Sequence, residues 1–110
     1  IYFHCAKNGH KLDAIKQNNK VSFCVIEKDE VDSEKLTTLF RSVVVFGKAE
    51  IMENEEKINS AMLSFGLKYN NDINAVKKEI ERERSGLCCV EITIEHITGK
   101  QAIELLRKNM

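Results

Sequence analysis

The residues with the most chemical potential stand together near the start of the chain, in His4-Cys5-Ala6-Lys7-Asn8-Gly9-His10-Lys11. The apolar, β-prone stretch Ile1 to Ala6 reads as a strand, Asn8-Gly9 is a turn signal, and a helix begins near Lys11. Free backbone N–H groups at a helix start attract anions, and the helix dipole adds to that attraction. A lysine in the first turn opposes the dipole and costs a few tenths of a kcal/mol or more, so Lys11 is well placed only if it faces a negative charge. With Lys7 and His10 beside it, that charge would be a phosphate. Four lysines against Asp13 give Ile1 to Ile26 a net charge of +3, although the whole chain is neutral. The same residues also fit a solvated basic turn that holds nothing.

Other chemistry is less visible. A histidine on an apolar strand, such as His4, or near a strand end, such as His96, is by default a hydrogen-bonded structural residue. His4, His10, His96 and the cysteines show none of the short spacings of a structural zinc motif, so no metal site is expected. No P-loop, dinucleotide fingerprint or metalloprotease signature is present. The charge run Lys77 to Arg84 mixes signs at i,i+3 and i,i+4 spacing and reads as a solvated helix face.

The elements that must position the basic turn follow from periodicity. Leu12 and Ile15 belong to a short helix ending near Asn18, and Val21 to Ile26 is a compact strand. Glu27 to Glu34, with five acids against one lysine, is expected to be an exposed loop. Phe40 to Met52 is the longest β-like segment, and Gly47 within it suggests a bulge or bend. From Glu55 the period changes: Ile58, Ala61, Met62 and Phe65 form a helical stripe that Gly66 weakens or ends. Asp72 caps a further helix through Val76 and Ile80. Val90, Ile92 and Ile94 alternate with polar residues as a half-buried strand, and a last helix covers about Gln101 to Lys108. The strands are not regularly followed by crossover helices, which disfavours a doubly wound parallel sheet. A mainly β (α+β) fold is expected, an antiparallel sheet or partial barrel with peripheral helices.

The chain has 110 residues, 17 basic and 17 acidic side chains, 43% hydrophobic residues and no Pro or Trp. That length fits a single domain over residues 1–110. Zero net charge argues against nucleic acid or any bulk polyanion as partner, and the two Tyr and five Phe are too dispersed for a base-stacking platform. No apolar run approaches the ~18–20 residues of a membrane span, and no signal peptide is visible. The four cysteines Cys5, Cys24, Cys88 and Cys89 include no C-x-x-C pair. The expectation is a cytoplasmic protein with reduced thiols.

Taken together, Ile1-Tyr-Phe-His-Cys-Ala-x-x-Gly-His-Lys11-x-x-x-Ile15-x-x-Asn18 followed by Val21-Ser-Phe-Cys-Val25 resembles the pyridoxamine 5′-phosphate oxidase-like flavin-binding proteins. The resemblance is nearest to the branch related to 5-nitroimidazole resistance proteins. Arg41-Ser-Val-Val-Val-Phe-Gly-Lys-Ala49 and Ile94-Glu-His-Ile-Thr-Gly-Lys100 agree with it. It implies an antiparallel split β-barrel that dimerises with itself, with FMN in clefts at the subunit interface. It also implies strands upstream of Tyr2, so the chain is expected to be an N-terminally incomplete barrel. Gly9, His10 and Lys11 fall where the oxidases hold the flavin phosphate with Ser-Arg-Lys. His4, Cys5 and Ala6 fall beside the flavin ring, His4 close to the substrate pocket and so the candidate catalytic residue. Arg41 and Ser42 fall in a strand that touches the flavin. The Arg- and Trp-rich substrate segment of the oxidases has no counterpart here. The implied activity is therefore an FMN-dependent oxidoreductase that reduces a small molecule, such as a nitroaromatic, with a nicotinamide nucleotide or other electron donor. The alternative is a non-catalytic flavin- or haem-binding module.

Overall fold

The computed structural model describes residues 1–108. Its order is β1 (Tyr2–Ala6), α1 (His10–Gln17), β2 (Lys20–Asp32), β3 (Thr37–Ile51), α2 (Glu55–Leu67), α3 (Ile73–Glu83), one 3₁₀ turn, β4 (Leu87–Gln101) and α4 (Ile103–Lys108). The strands form one sheet in the order β1-β4-β3-β2, and the β1–β4 and β2–β3 pairings are antiparallel. Residues divide into two compact units, Ile1–Asn19 with Ala49–Thr93, and Lys20–Lys48 with Ile94–Met110.

The first unit is built on the β1–β4 ladder. Tyr2 to Ala6 run opposite Glu91 to Leu87, so Cys5 faces Cys88 and His4 faces Cys89. Side chains alternate across a strand. Leu87 and Cys89 pack with Ile58 and Met62 of α2, with Met52 and Ile80 against them. Cys88, Val90 and Ile92 point the other way, toward the face that also carries Lys16 of α1. Cys89 and Val90 are both buried, so the strand is covered on both sides there. The two helices over the first face start on side-chain caps. Asn54 accepts from the Lys57 N–H, and Asp72 accepts from the Asn74 and Ala75 N–H groups. Such caps contribute about 1 kcal/mol each.

The glycine at position 66 does not end α2, which runs on to Leu67. A Cβ at Gly66 would strike Cγ1 of Val76, so the missing side chain lets α2 and α3 approach closely. The alternation in β4 also stops early: Val90 and Ile92 are buried, whereas Ile94 is 45% exposed.

In the second unit, Lys20 to Asp32 pair with Lys48 to Thr37. The acidic segment is therefore strand as far as Asp32, not loop. An antiparallel ladder needs only backbone groups, and the acidic side chains stay in water or meet cations. Glu27 pairs with Arg41 at 2.8 Å and Glu30 with Lys28 at 3.8 Å. The register shift lies between Ile26 and Lys28, while Gly47 pairs in register with Val21. The bulge thus falls at Glu27 rather than Gly47. Residues 33–36 make the turn, with Leu36 at φ 52° and 91% exposed. Ala102 N–H bonds the Phe40 carbonyl at 2.9 Å, and Ala102 and Leu105 are buried.

Candidate functional site

The β1–turn–α1 segment is organised by two anchors. Leu12 and Ile15, at i,i+3 spacing, bury one side of α1, and β1 is held by the β4 ladder. Between them Lys7, Asn8, Gly9, His10 and Lys11 are all exposed. Gly9 occupies the N-cap position in an extended conformation, and no side chain caps the helix start. A Cβ at Gly9 would meet nothing within 4 Å, so open space lies over this N-terminus. The first helical bond runs from the Asp13 N–H to the Gly9 carbonyl at 3.2 Å. The N–H groups of the first turn therefore have no capping side chain. Among the described residues Lys7, His10 and Lys11 form no ion pair. Lys11 Nζ instead sits 5.5 Å from the centre of the Phe3 ring.

Strand alternation sorts the remaining β1 side chains. Phe3 and Cys5 lie on the Lys11 side, whereas Tyr2, His4 and Ala6 lie on the α2–α3 side. The His4 ring meets Phe65 edge-on, with centroids 5.6 Å apart. Both line a cavity of about 330 Å³ with Met62, Val76, Ile80 and Leu87. His4 thus lies on the face of β1 away from Phe3 and the Lys11 ammonium over it. The Glu91 carboxylate, directly across the ladder from Tyr2, raises its phenol above the ordinary value. Burial raises the thiols of Cys88 and Cys89.

Arg41 and Ser42 belong to the second unit. The Arg41 guanidinium is already held, by Glu27 through NH1 at 2.8 Å and by Gln101 Oε1 through Nε at 3.1 Å. Ser42 is half-buried opposite Ile26. The structure thus brings His4, Cys5, Ala6, Gly9, His10 and Lys11 onto one continuous segment. Phe3 under Lys11, Phe65 against His4 and Cys88 across from Cys5 were not singled out in the sequence. Only the strand pairing and the helix packing reveal them.

Residues 1–101 match the family model described as pyridoxamine 5′-phosphate oxidase, and the chain belongs to that family. No curated protein sequence matches it. Among solved structures, a conserved hypothetical protein from Mycobacterium tuberculosis superposes with a TM-score of 0.73 at 20% identity, covering 92% of this chain and 60% of that one. A candidate 5-nitroimidazole antibiotic resistance protein from Bacteroides thetaiotaomicron gives 0.64 at 20% identity, over 89% and 58%. A FAD-binding protein from Mesorhizobium loti gives 0.57 at 20% identity, over 92% and 67%. The fold is accordingly the antiparallel, mainly β, split-barrel class with accessory helices. The chain spans about six-tenths of the length of the first two of these structures. No helix among the described residues is long and apolar enough to cross a membrane.

Proposed function

We propose that this chain is the core of an FMN-binding oxidoreductase, with the flavin phosphate at the β1–α1 turn. The observation that carries the reading is the α1 N-terminus: uncapped, open above Gly9, and flanked by Lys7, His10 and Lys11 with no carboxylate among the described residues paired to them. These are the donors that a phosphate monoester needs, namely free backbone N–H groups, the positive end of a helix dipole and mobile cations. The Phe3 ring beside Lys11 supplies an apolar surface next to the anion site. A FAD-binding protein among the structural neighbours, together with family membership, supports a flavin.

The roles assigned to the chain's own residues follow from placement. Gly9, His10 and Lys11 hold the phosphate, and Cys5 with the backbone of His4 to Ala6 borders the ring. Arg41 and Ser42 are assigned to the flavin by the family resemblance alone, and Arg41 must exchange part of its contact with Glu27 to reach any ligand. His4, against the small apolar cavity, is the candidate for orienting a substrate or holding a proton near it. A bound flavin supplies the redox chemistry, taking electrons from a nicotinamide nucleotide or another donor and passing them to a small acceptor such as a nitroaromatic. The neighbour connected with 5-nitroimidazole resistance supports that acceptor class. Exposed Ile26, Phe46, Ile94 and Ile97 in the second unit, 45–63% accessible, support pairing of two copies.

The test is the absorption spectrum of the purified protein and its quenching of added FMN fluorescence. A yellow protein, or stoichiometric quenching, is expected, and a colourless protein that leaves FMN fluorescence unchanged overturns the reading. Rapid bleaching by a nicotinamide nucleotide, reversed by a nitroaromatic, supports turnover. A flavin that stays oxidised marks a carrier instead.

A further inference from the structure

Cys5 and Cys88 stand directly opposite each other in the β1–β4 ladder. Ile1 and Ile92 exchange both of their backbone hydrogen bonds, at 2.7 and 3.3 Å. Counting two residues at a time along the register, Phe3 opposite Val90 and Cys5 opposite Cys88 are therefore hydrogen-bonded pairs as well. Cα atoms of such a pair lie about 5.5 Å apart. A disulfide spans Cα separations of roughly 4.4–6.8 Å. Both side chains point to the same face of the ladder. Each is half-buried, within reach of a small reagent. Cys89 points the opposite way into the Ile58–Met62–Leu87 cluster, and Cys24 belongs to the other unit.

We propose that Cys5 and Cys88 are a redox-active dithiol, which low-molecular-weight disulfides of the glutathione type convert to a reversible cross-strand disulfide within the chain. One cysteine thiolate attacks a sulfur of the small disulfide, forming a mixed disulfide and releasing one small thiol. The second cysteine gives up its proton and attacks the protein-bound sulfur, expelling the other small thiol. The two cysteines lose two electrons and two protons, and the small disulfide becomes two thiols. Burial raises the Cys88 thiol, and nearby Lys16 and Arg84 offset only part of that. The ladder, rather than the disulfide's own torsional preference, sets the geometry, so the bond is readily reduced again. Its formation ties β1, which leads into the basic turn, covalently to β4.

The experiment equilibrates the purified protein with reduced and oxidised glutathione at a series of ratios, quenches with acid and alkylates the free thiols. Non-reducing peptide mapping follows, with fragmentation between Cys88 and Cys89 to assign the partner. The expected result is Cys5 joined to Cys88 within one chain. The linked fraction should rise with the oxidised form and return to baseline in reduced glutathione. In Cys88→Ser the linked fraction should drop at least about tenfold, while Cys24→Ser retains it. The proposal is overturned if Cys5 remains fully alkylatable at the most oxidising ratio. It is equally overturned if the partner proves to be Cys89 or Cys24, or if the link joins two chains.

Discussion

Replacing Lys11 by Gln should weaken FMN far more than riboflavin, because the lysine's role lies in the phosphate alone. Lys11 is exposed at the first turn of α1, so its attraction for an anion works in high dielectric. Two unit charges about 4 Å apart attract by ~1 kcal/mol in water. A phosphate monoester carries about −1.5 to −2 charges at neutral pH, which raises the attraction to ~1.5–2 kcal/mol. Against this, the ammonium must leave the Phe3 ring at 5.5 Å. A cation–π contact at such an exposed site contributes ~0.5–1 kcal/mol. The net loss on substitution is therefore ~0.5–1.5 kcal/mol, about two- to twelvefold in Kd. Fluorescence titration of both flavins at low and moderate salt measures it. FMN should weaken by that factor, less so as salt rises, while riboflavin does not change. Equal weakening of both flavins, or of neither, refutes the phosphate assignment.

Other expectations concern the frame around the site. Gly66→Ala drives a methyl into Val76, and overpacking of ~1–3 kcal/mol should outweigh a helix-propensity gain of ~0.5–1 kcal/mol. Denaturant unfolding should show a loss in the native background and a gain in a Val76→Ala background, and a gain in both contradicts the packing argument. Leu36→Gly removes a left-handed penalty of ~1–2 kcal/mol at an exposed turn and adds back ~0.5–1 kcal/mol of chain entropy. A net stabilisation of roughly 0.5–1 kcal/mol is expected in the same assay, and a loss of stability counts against it. Burial raises the Cys88 and Cys89 thiols, so the fold favours their protonated forms. Their contribution is complete below the ordinary thiol range and lost as pH rises through the raised values. Unfolding followed from neutral to alkaline pH should show stability falling, with a shallower fall in Cys89→Ala.

What the sequence made legible was local. The strand, turn and helix from Tyr2 to Gln17 could be read because apolar residues there follow a strand pattern and then a helical one, with Asn8-Gly9 between. Asp72 was legible as a cap for the same reason. The acidic stretch to Asp32 misled because a two-stranded ladder is held by backbone groups and tolerates charged side chains facing water. Gly47 was read as a bulge or bend and Gly66 as weakening or ending its helix, but the bulge falls at Glu27 and Gly66 lies within α2 against Val76, outcomes that only register and packing decide. At the site, the residues proposed to bind the anion are contiguous and so visible, whereas Phe65 beside His4 and Cys88 opposite Cys5 depend on long-range register. That Lys11 lies on the Phe3 side of β1 and His4 on the other is seen only in the folded chain, from the Lys11–Phe3 and His4–Phe65 contacts.

The central claim is that the open N-terminus of α1 receives a flavin phosphate. It is tested most directly by following backbone amide resonances in a ¹H–¹⁵N spectrum as FMN is added to the purified protein, with riboflavin as the comparison. The account predicts the largest FMN-specific shifts at His10, Lys11 and Leu12, with smaller changes shared by both flavins along β1. FMN-specific shifts confined to the α2–α3 cavity, or none at the α1 start, would contradict it.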